Sequence, residues 1–300
     1  MDIFKSIIQF LLGLFKKSEG TKLATKVETE NTIKEEPKQA PKEEPKEEPK
    51  QVTSTITVLN NSKGYSYFTQ RNNEYQGSYA CNCTSYCMML LYNKLITRNK
   101  DGRWVNSKGE DLLKINAEWL PKKEFQQLED NLMYFCQHNP DVLKCYSKNY
   151  SNLFADWIKE RDEYSAKGIE ESKRYYKNYP PNELHIVLTY AVNLFLNEGK
   201  DVVEYRSQSI DHIVKRLKNG ESLTVSGAFE GLNHIVCVVG VQYEKETGKV
   251  LKFLIDDPWY RTLNYKSKKT GDDSVLTYDE FLQFVKPVNS LEKACHIVKR

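Results

Sequence analysis

What the chain lacks narrows its class first. It has no excess of charge of either sign: 44 lysines and arginines face 41 aspartates and glutamates, a formal net charge of +3 over 300 residues. So near a balance gives no electrostatic case for nucleic-acid binding. It has no C-x2-C knuckle either. Cys81, Cys83 and Cys87 crowd one stretch as C-x-C-x3-C, while Cys136, Cys145, Cys237 and Cys295 are scattered. That pattern fits neither a structural zinc site nor, in a chain this long with seven cysteines, a disulfide framework. Mostly reduced thiols point to synthesis in the cytoplasm. The apolar N-terminal stretch is too short for a bilayer span, which takes about 20 apolar residues, and no A-x-A-like cleavage site follows it. A repeat-type wall-binding module is also missing.

Three regions remain. Residues 1–17 read as an amphipathic, membrane-associated helix, with Asp2, Lys5, Ser6, Gln9, Gly13 and Lys16 on one side and a wide apolar face opposite. Docking on the protein's own body or on a partner, or an uncleaved export signal, are the alternatives for that helix. Residues 18–55 repeat Lys, Glu and Pro and hold almost no core-forming side chains, so they read as a disordered linker, an extended tether. Residues 56–300 form the globular domain. A strand is expected over Ser54 to Leu59, then a buried helix from the cysteine segment to about Leu95. Turns follow in 97–110, and a mostly helical region in roughly 111–200, including Phe125–Cys136, Tyr150–Arg161 and Leu184–Asn197. The pattern then changes to a short helix at Ile210–Leu217 and strands at Ser222–Ala228, Ile235–Gln242 and Val250–Ile255, closing with a helix at Tyr278–Val285 and a strand near Ala294–Val298. Helices first and an antiparallel sheet second is an α+β arrangement.

The chemistry centres on the stretch Tyr79 to Leu91. Asn82, Thr84 and Ser85 run straight into an apolar block, as a loop does when it becomes the first turn of a buried helix. The unpaired N–H groups and positive dipole end there bias a thiol toward the reactive thiolate. Cys81 stands at the helix start, Cys83 lies inside the first turn, and Cys87 sits among Met88, Met89 and Leu90 as a buried small hydrophobe. A thiol nucleophile needs a base. His138 reads as a helix-ending surface residue, and His185 and His212 as packing or surface residues; His296 lies in the last strand near Cys295. His234 differs, because Gly231-Leu232-Asn233 delivers it onto the start of an apolar strand. The hairpin partner returns to Ile255-Asp256-Asp257-Pro258-Trp259, so a carboxylate near Asp257 can stand beside His234.

Together these residues resemble the papain-like cysteine peptidases of the bacteriocin double-glycine leader peptidase type, and especially their stand-alone bacterial and phage relatives. The resemblance rests on Gln70, Cys81-Asn82-Cys83-Thr84-Ser85 with Met88 to Leu90, Gly220 to Gly227, Asn233-His234-Ile235-Val236 and Asp257-Pro258-Trp259, in that order. Cys83 stands at the usual proline position and Asn233 where glycine is common.

The resemblance implies a papain-like fold in which the nucleophile's helix packs on an antiparallel sheet. It makes Cys81 the nucleophile, His234 the general base and acid, and Asp257 the residue that holds the imidazole. Gln70 is implied as side-chain donor to the oxyanion, with Gln76 competing for that place. No metal or cofactor is implied. The expected function is a cysteine peptidase or amide hydrolase that acts on peptides or on peptidoglycan stem peptides, tethered at a membrane or cell envelope, in a phage or bacterial lytic role. A catalytically inactive peptide-binding module held at a membrane is the alternative, and acyl transfer a third use of the same triad.

Overall fold

The computed structural model describes residues 54–60, 67–206, 209–229, 232–259, 272, 274–285 and 294–297. These all lie in one compact unit, Gln51–Arg300. The expected N-terminal helix and all but the end of the expected linker lie outside the described residues. Among the described residues no helix is long and apolar enough to cross a membrane.

The fold is built around two elements. The first is helix α1, Cys81–Tyr92, in which every residue after Cys81 is buried. It is the central helix, buried on all sides. Its C-terminus is set by Lys94, which takes a left-handed φ of 60°, and the chain turns there into a hairpin of β2 (Ile96–Arg98) and β3 (Trp104–Asn106). A helical layer follows: α2 (Leu112–Ile115), α3 (Leu128–His138), α4 (Pro140–Asn149), α5 (Ser151–Ala166) and α6 (His185–Leu196). Asn139 separates α3 from α4 by capping the second, accepting from the N–H groups of Asp141 and Val142 at 3.0 and 3.2 Å. Pro140 takes the first helical position, where a missing N–H costs nothing.

The second element is the 13-residue strand β6, Leu232–Glu244, in the middle of a seven-stranded antiparallel sheet. The sheet runs β4 (Val203–Arg206), β9 (Ala294–Ile297), β5 (Leu223–Phe229), β6, β7 (Val250–Asp256) and β8 (Ser274–Thr277), with β1 (Thr55–Leu59) paired to the far half of β6. Strand side chains alternate between faces, and β6 is covered on both. Ile235, Cys237 and Val239 join the core around α1, while Val236, Val238 and Val241 join a second core under α7 (Ile210–Lys218) and α8 (Tyr278–Val285). A strand covered on both faces reads as one continuous apolar run. The change of parity after Val239 falls at a register shift between Val238 and Gly240. There a side chain on Gly240 would run into the Val58 carbonyl, so glycine lets β1 approach.

The expected elements are present with shifted ends, and the structure adds others, among them β8 and the four-residue α2. The turn-rich stretch 97–110 contains the β2–β3 hairpin, α4 occupies the stretch after His138, and β4 flanks β9.

Candidate active site

Cys81 opens α1 without a capping side chain; neighbouring amides hold this end instead. Asn82 Nδ2 donates to Asn182 O at 2.9 Å, and Asn182 Nδ2 donates back to Tyr79 O at 3.3 Å. Gln137 Nε2 reaches Asn182 Oδ1 at 3.1 Å and Gln76 Oε1 at 2.9 Å, and its own Oε1 accepts from Tyr75 OH at 2.9 Å. Gln76 itself has a left-handed φ of 47° and also donates to Glu171 O at 3.1 Å. Each such buried bond contributes about 0.5–1.5 kcal/mol, but leaving one partner unsatisfied costs more. The network therefore fixes where α1 begins.

From the sheet side, Ser85 Oγ donates to Ile235 O at 3.1 Å and ties the first turn of α1 to the residue after His234. His234 pairs with Gly227 of β5 near the closed end of the β5–β6 hairpin. In the other hairpin, Asp256 is the last ladder residue, opposite Cys237, and Asp257 lies just beyond. His234 Nε2 donates to Asp257 Oδ1 at 2.7 Å, and both side chains are buried. The same oxygen accepts the Trp259 N–H at 2.8 Å, and the Trp259 ring lies 6.2 Å from the imidazole. Residues 67–70 clamp this segment: Tyr67 OH donates to Asp257 O, Thr69 Oγ1 to Pro258 O at 3.2 Å, and the Gln70 N–H to Pro258 O at 3.1 Å. Asp256 turns elsewhere and accepts from Tyr92 OH at 2.6 Å.

Cys81 and His234 line one cavity of about 260 Å³ between the helical layer and the sheet. Tyr150, Tyr179 and Tyr205 form aromatic walls, and Glu183 and His185 also face it. His185 shares a 2.6 Å hydrogen bond with Ser226 and stacks on Tyr205 with ring centroids 5.1 Å apart. The cavity wall thus holds a second histidine, where the sequence suggested a packing or surface residue. Glu183 and His185 carry no local spacing that would have marked them.

Electrostatics depart from the helix-start expectation. Burial pushes the Cys81 thiol well above its ordinary value, and the Glu183 carboxylate adds to the push; backbone hydrogen bonds from Ile235 and Asn82 work against it, and Asp257 adds a smaller upward push. A helix end contributes only about 0.3–1 kcal/mol, less than one pKa unit. Burial outweighs the helix end in this balance, although Cys81 itself is only half-buried on the cavity wall. Glu183 is itself pushed up to about 8 by burial.

The remaining candidates fall elsewhere. Cys83 and Cys87 are buried in the core, and the free Cys83 thiol shares a hydrogen bond with that of Cys136. Gln70 is buried and Gln76 belongs to the amide network; neither lines the cavity. Gln70 Nε2 donates to Gly77 O at 3.1 Å. His138 stacks on Tyr134 at 3.7 Å and pairs with Glu171 at 3.0 Å, and His212 accepts from Arg216 at 3.2 Å within α7. His296 lies in β9 opposite Glu204. Among the described residues no three histidine, cysteine or acidic side chains gather in a way that could hold a metal ion.

The sequence model of the Peptidase_C39 like family matches residues 62–283. No curated protein matches the chain. The family match spans most of the chain and both hairpins of the cavity's sheet side. The chain belongs to the Peptidase_C39 like family, and its helical layer packed on an antiparallel sheet is an α+β papain-like peptidase fold.

Proposed function

We propose that this member of the Peptidase_C39 like family is a cysteine peptidase that cleaves peptide bonds with Cys81 as nucleophile, His234 as general base and acid, and Asp257 as the residue orienting the imidazole. The observation that carries the reading is the buried 2.7 Å bond from His234 Nε2 to Asp257, with Cys81 on the wall of the same cavity. A carboxylate on Nε2 fixes the tautomer and stabilises the imidazolium that forms, so the base role falls to Nδ1. The proton passes from Cys81 Sγ to His234 and the sulfur attacks the substrate carbonyl. The oxyanion forms near the start of α1, where backbone N–H groups lack intrahelical acceptors. His234 then gives the proton to the leaving amine, the thioester remains on Cys81, and water activated by His234 releases the acid.

Gln70 enters this scheme as a positioning residue. It bonds Gly77 O and Pro258 O, joining the loop before the nucleophile to the segment bearing Asp257. Its amide nitrogen carries two hydrogens and gives one to Gly77 O, which leaves the second for the oxyanion. The proposed substrates are peptides or the stem peptides of a cell wall. Residues 2–17 would hold the domain at a membrane surface through the 18–55 tether, in keeping with a phage or bacterial lytic role. The upward push on the thiol is the observation that favours the second reading, a peptide-binding module without catalysis.

One experiment separates the two. Peptide hydrolysis and labelling by a thiol-directed amide-mimic probe are measured for the wild type, Cys81→Ala and His234→Ala. The peptidase reading requires that Cys81→Ala abolish both and that His234→Ala slow both. Labelling that persists at Cys83, or a Cys81 alkylation rate indifferent to His234, overturns it.

A further inference from the structure

We propose that Glu183 selects substrates carrying a cationic side chain, binding a lysine ammonium or arginine guanidinium beside the bond that Cys81 attacks; this rests on the peptidase reading above. Four observations support it. Glu183 shares the cavity wall with Cys81 and His234. Among the described residues lining that cavity it is the only carboxylate, and none is a lysine or arginine. The side chain is half-buried, and its Oε1 has no hydrogen-bond partner among the described residues, so the protein itself does not claim the carboxyl group. Finally, the backbone that presents it is held. The Glu183 N–H bonds Pro180 O at 2.9 Å, and the adjacent Asn182 is locked into the amide network at α1.

The surroundings suit a long basic side chain. Tyr150, Tyr179 and Tyr205 offer apolar faces for its methylenes and π-faces for its charge. Burial pushes the Glu183 carboxyl up to about 8. When an ammonium binds, the carboxylic acid gives its proton to solvent and the carboxylate pairs with the cation. The titratable groups on the elements around Glu183 are Tyr79, Cys81 and Cys83, which feel its charge, Cys136 on α3, Tyr146 on α4, and Tyr150, Tyr179, His185, Tyr205 and His234 on the cavity wall.

The test uses the full chain carrying Cys81→Ala, which binds without turnover, and fluorescent hexapeptides in which each position in turn holds lysine or norleucine. The two side chains differ only in their ends, ammonium against methyl. At one position, lysine should bind about ten-fold tighter or more at pH 8.5, with the ratio falling at pH 6. Adding Glu183→Gln should bring the ratio to within about two-fold while both histidines remain, so the difference isolates Glu183. Equal affinities at every position, including no measurable binding, overturn the proposal, as does a lysine preference that survives Glu183→Gln. The wild type is assayed on the same peptides: a lysine preference in binding without any cleavage would sink the peptidase reading and leave the Glu183 assignment standing.

Discussion

Replacing Glu129 with glutamine should flatten the pH dependence of stability. Glu129 sits on α3 behind the nucleophile's helix, 1% exposed, with both carboxylate oxygens lacking a hydrogen-bond partner among the described residues. Burial pushes its pKa from 4.5 up to about 8; its own backbone amide pulls it down, Asp130 pushes it further up and Arg98 lowers it slightly. In the unfolded chain the group loses its proton near the ordinary 4.5. Between those two values the folded state binds the extra proton, so stability falls as pH rises. The slope is about 1.4 kcal/mol per pH unit. Water penetration trims the sum over that window to about 3–5 kcal/mol. This contribution is fully present below pH 4.5 and gone above about pH 8. Glutamine has nearly the same shape and no charge. Urea unfolding followed by tryptophan fluorescence at pH 5, 6, 7 and 8 should show Glu129→Gln within about 1 kcal/mol of the wild type at pH 5, then gaining on it at each step. Parallel curves for the two proteins would refute the reasoning.

Three further outcomes follow from the described contacts. Asp257→Asn should lower kcat on the order of 10²–10⁴-fold by unsettling the imidazole tautomer, with little change in KM; an equal loss in Asp256→Asn would contradict the assignment of Asp257 as the orienting carboxylate. Tyr92→Phe removes a hydrogen bond to the buried Asp256 and should cost about 1.5–3 kcal/mol in chemical denaturation while kcat is unchanged. Gly227→Ala puts a methyl into the Phe284 ring; the expected loss is about 1–3 kcal/mol by thermal or chemical unfolding, and Phe284→Leu in the same chain should recover part of it.

Both halves of the candidate site were legible for definite reasons. α1 announces itself because small polar residues run into an apolar block, and the β6–β7 hairpin because two apolar runs flank Lys245-Glu246-Thr247-Gly248, where Gly248 takes a φ of 71°. The closeness of His234 and Asp257 then follows from antiparallel return alone. Other parts left no local trace. β2 and β3 are three residues each, too short to show alternation. α4 hides behind Pro140, a helix-starting proline that reads as a stop. Gln76, Gln137 and Asn182 meet only after three separate segments pack, and Glu183 and His185 reach the cavity from a turn and a helix start whose spacing says nothing about direction. The thiol's upward shift was hidden for a related reason: the dipole at a helix start is a local property, whereas the burial that outweighs it comes from the whole fold.

The division of the cavity between α1 and the late hairpins has a consequence in time. About 150 residues separate Cys81 from His234. At roughly 5–20 residues per second of synthesis, Cys81 is made some 8–30 seconds before His234, and Asp257 comes later still. The bond between His234 and Asp257 in turn waits for β6 to pair with β7, since that return brings the carboxylate to the imidazole. On the proposed assignment, a nascent chain therefore carries its nucleophile without base or orienting carboxylate until the late hairpins have been made.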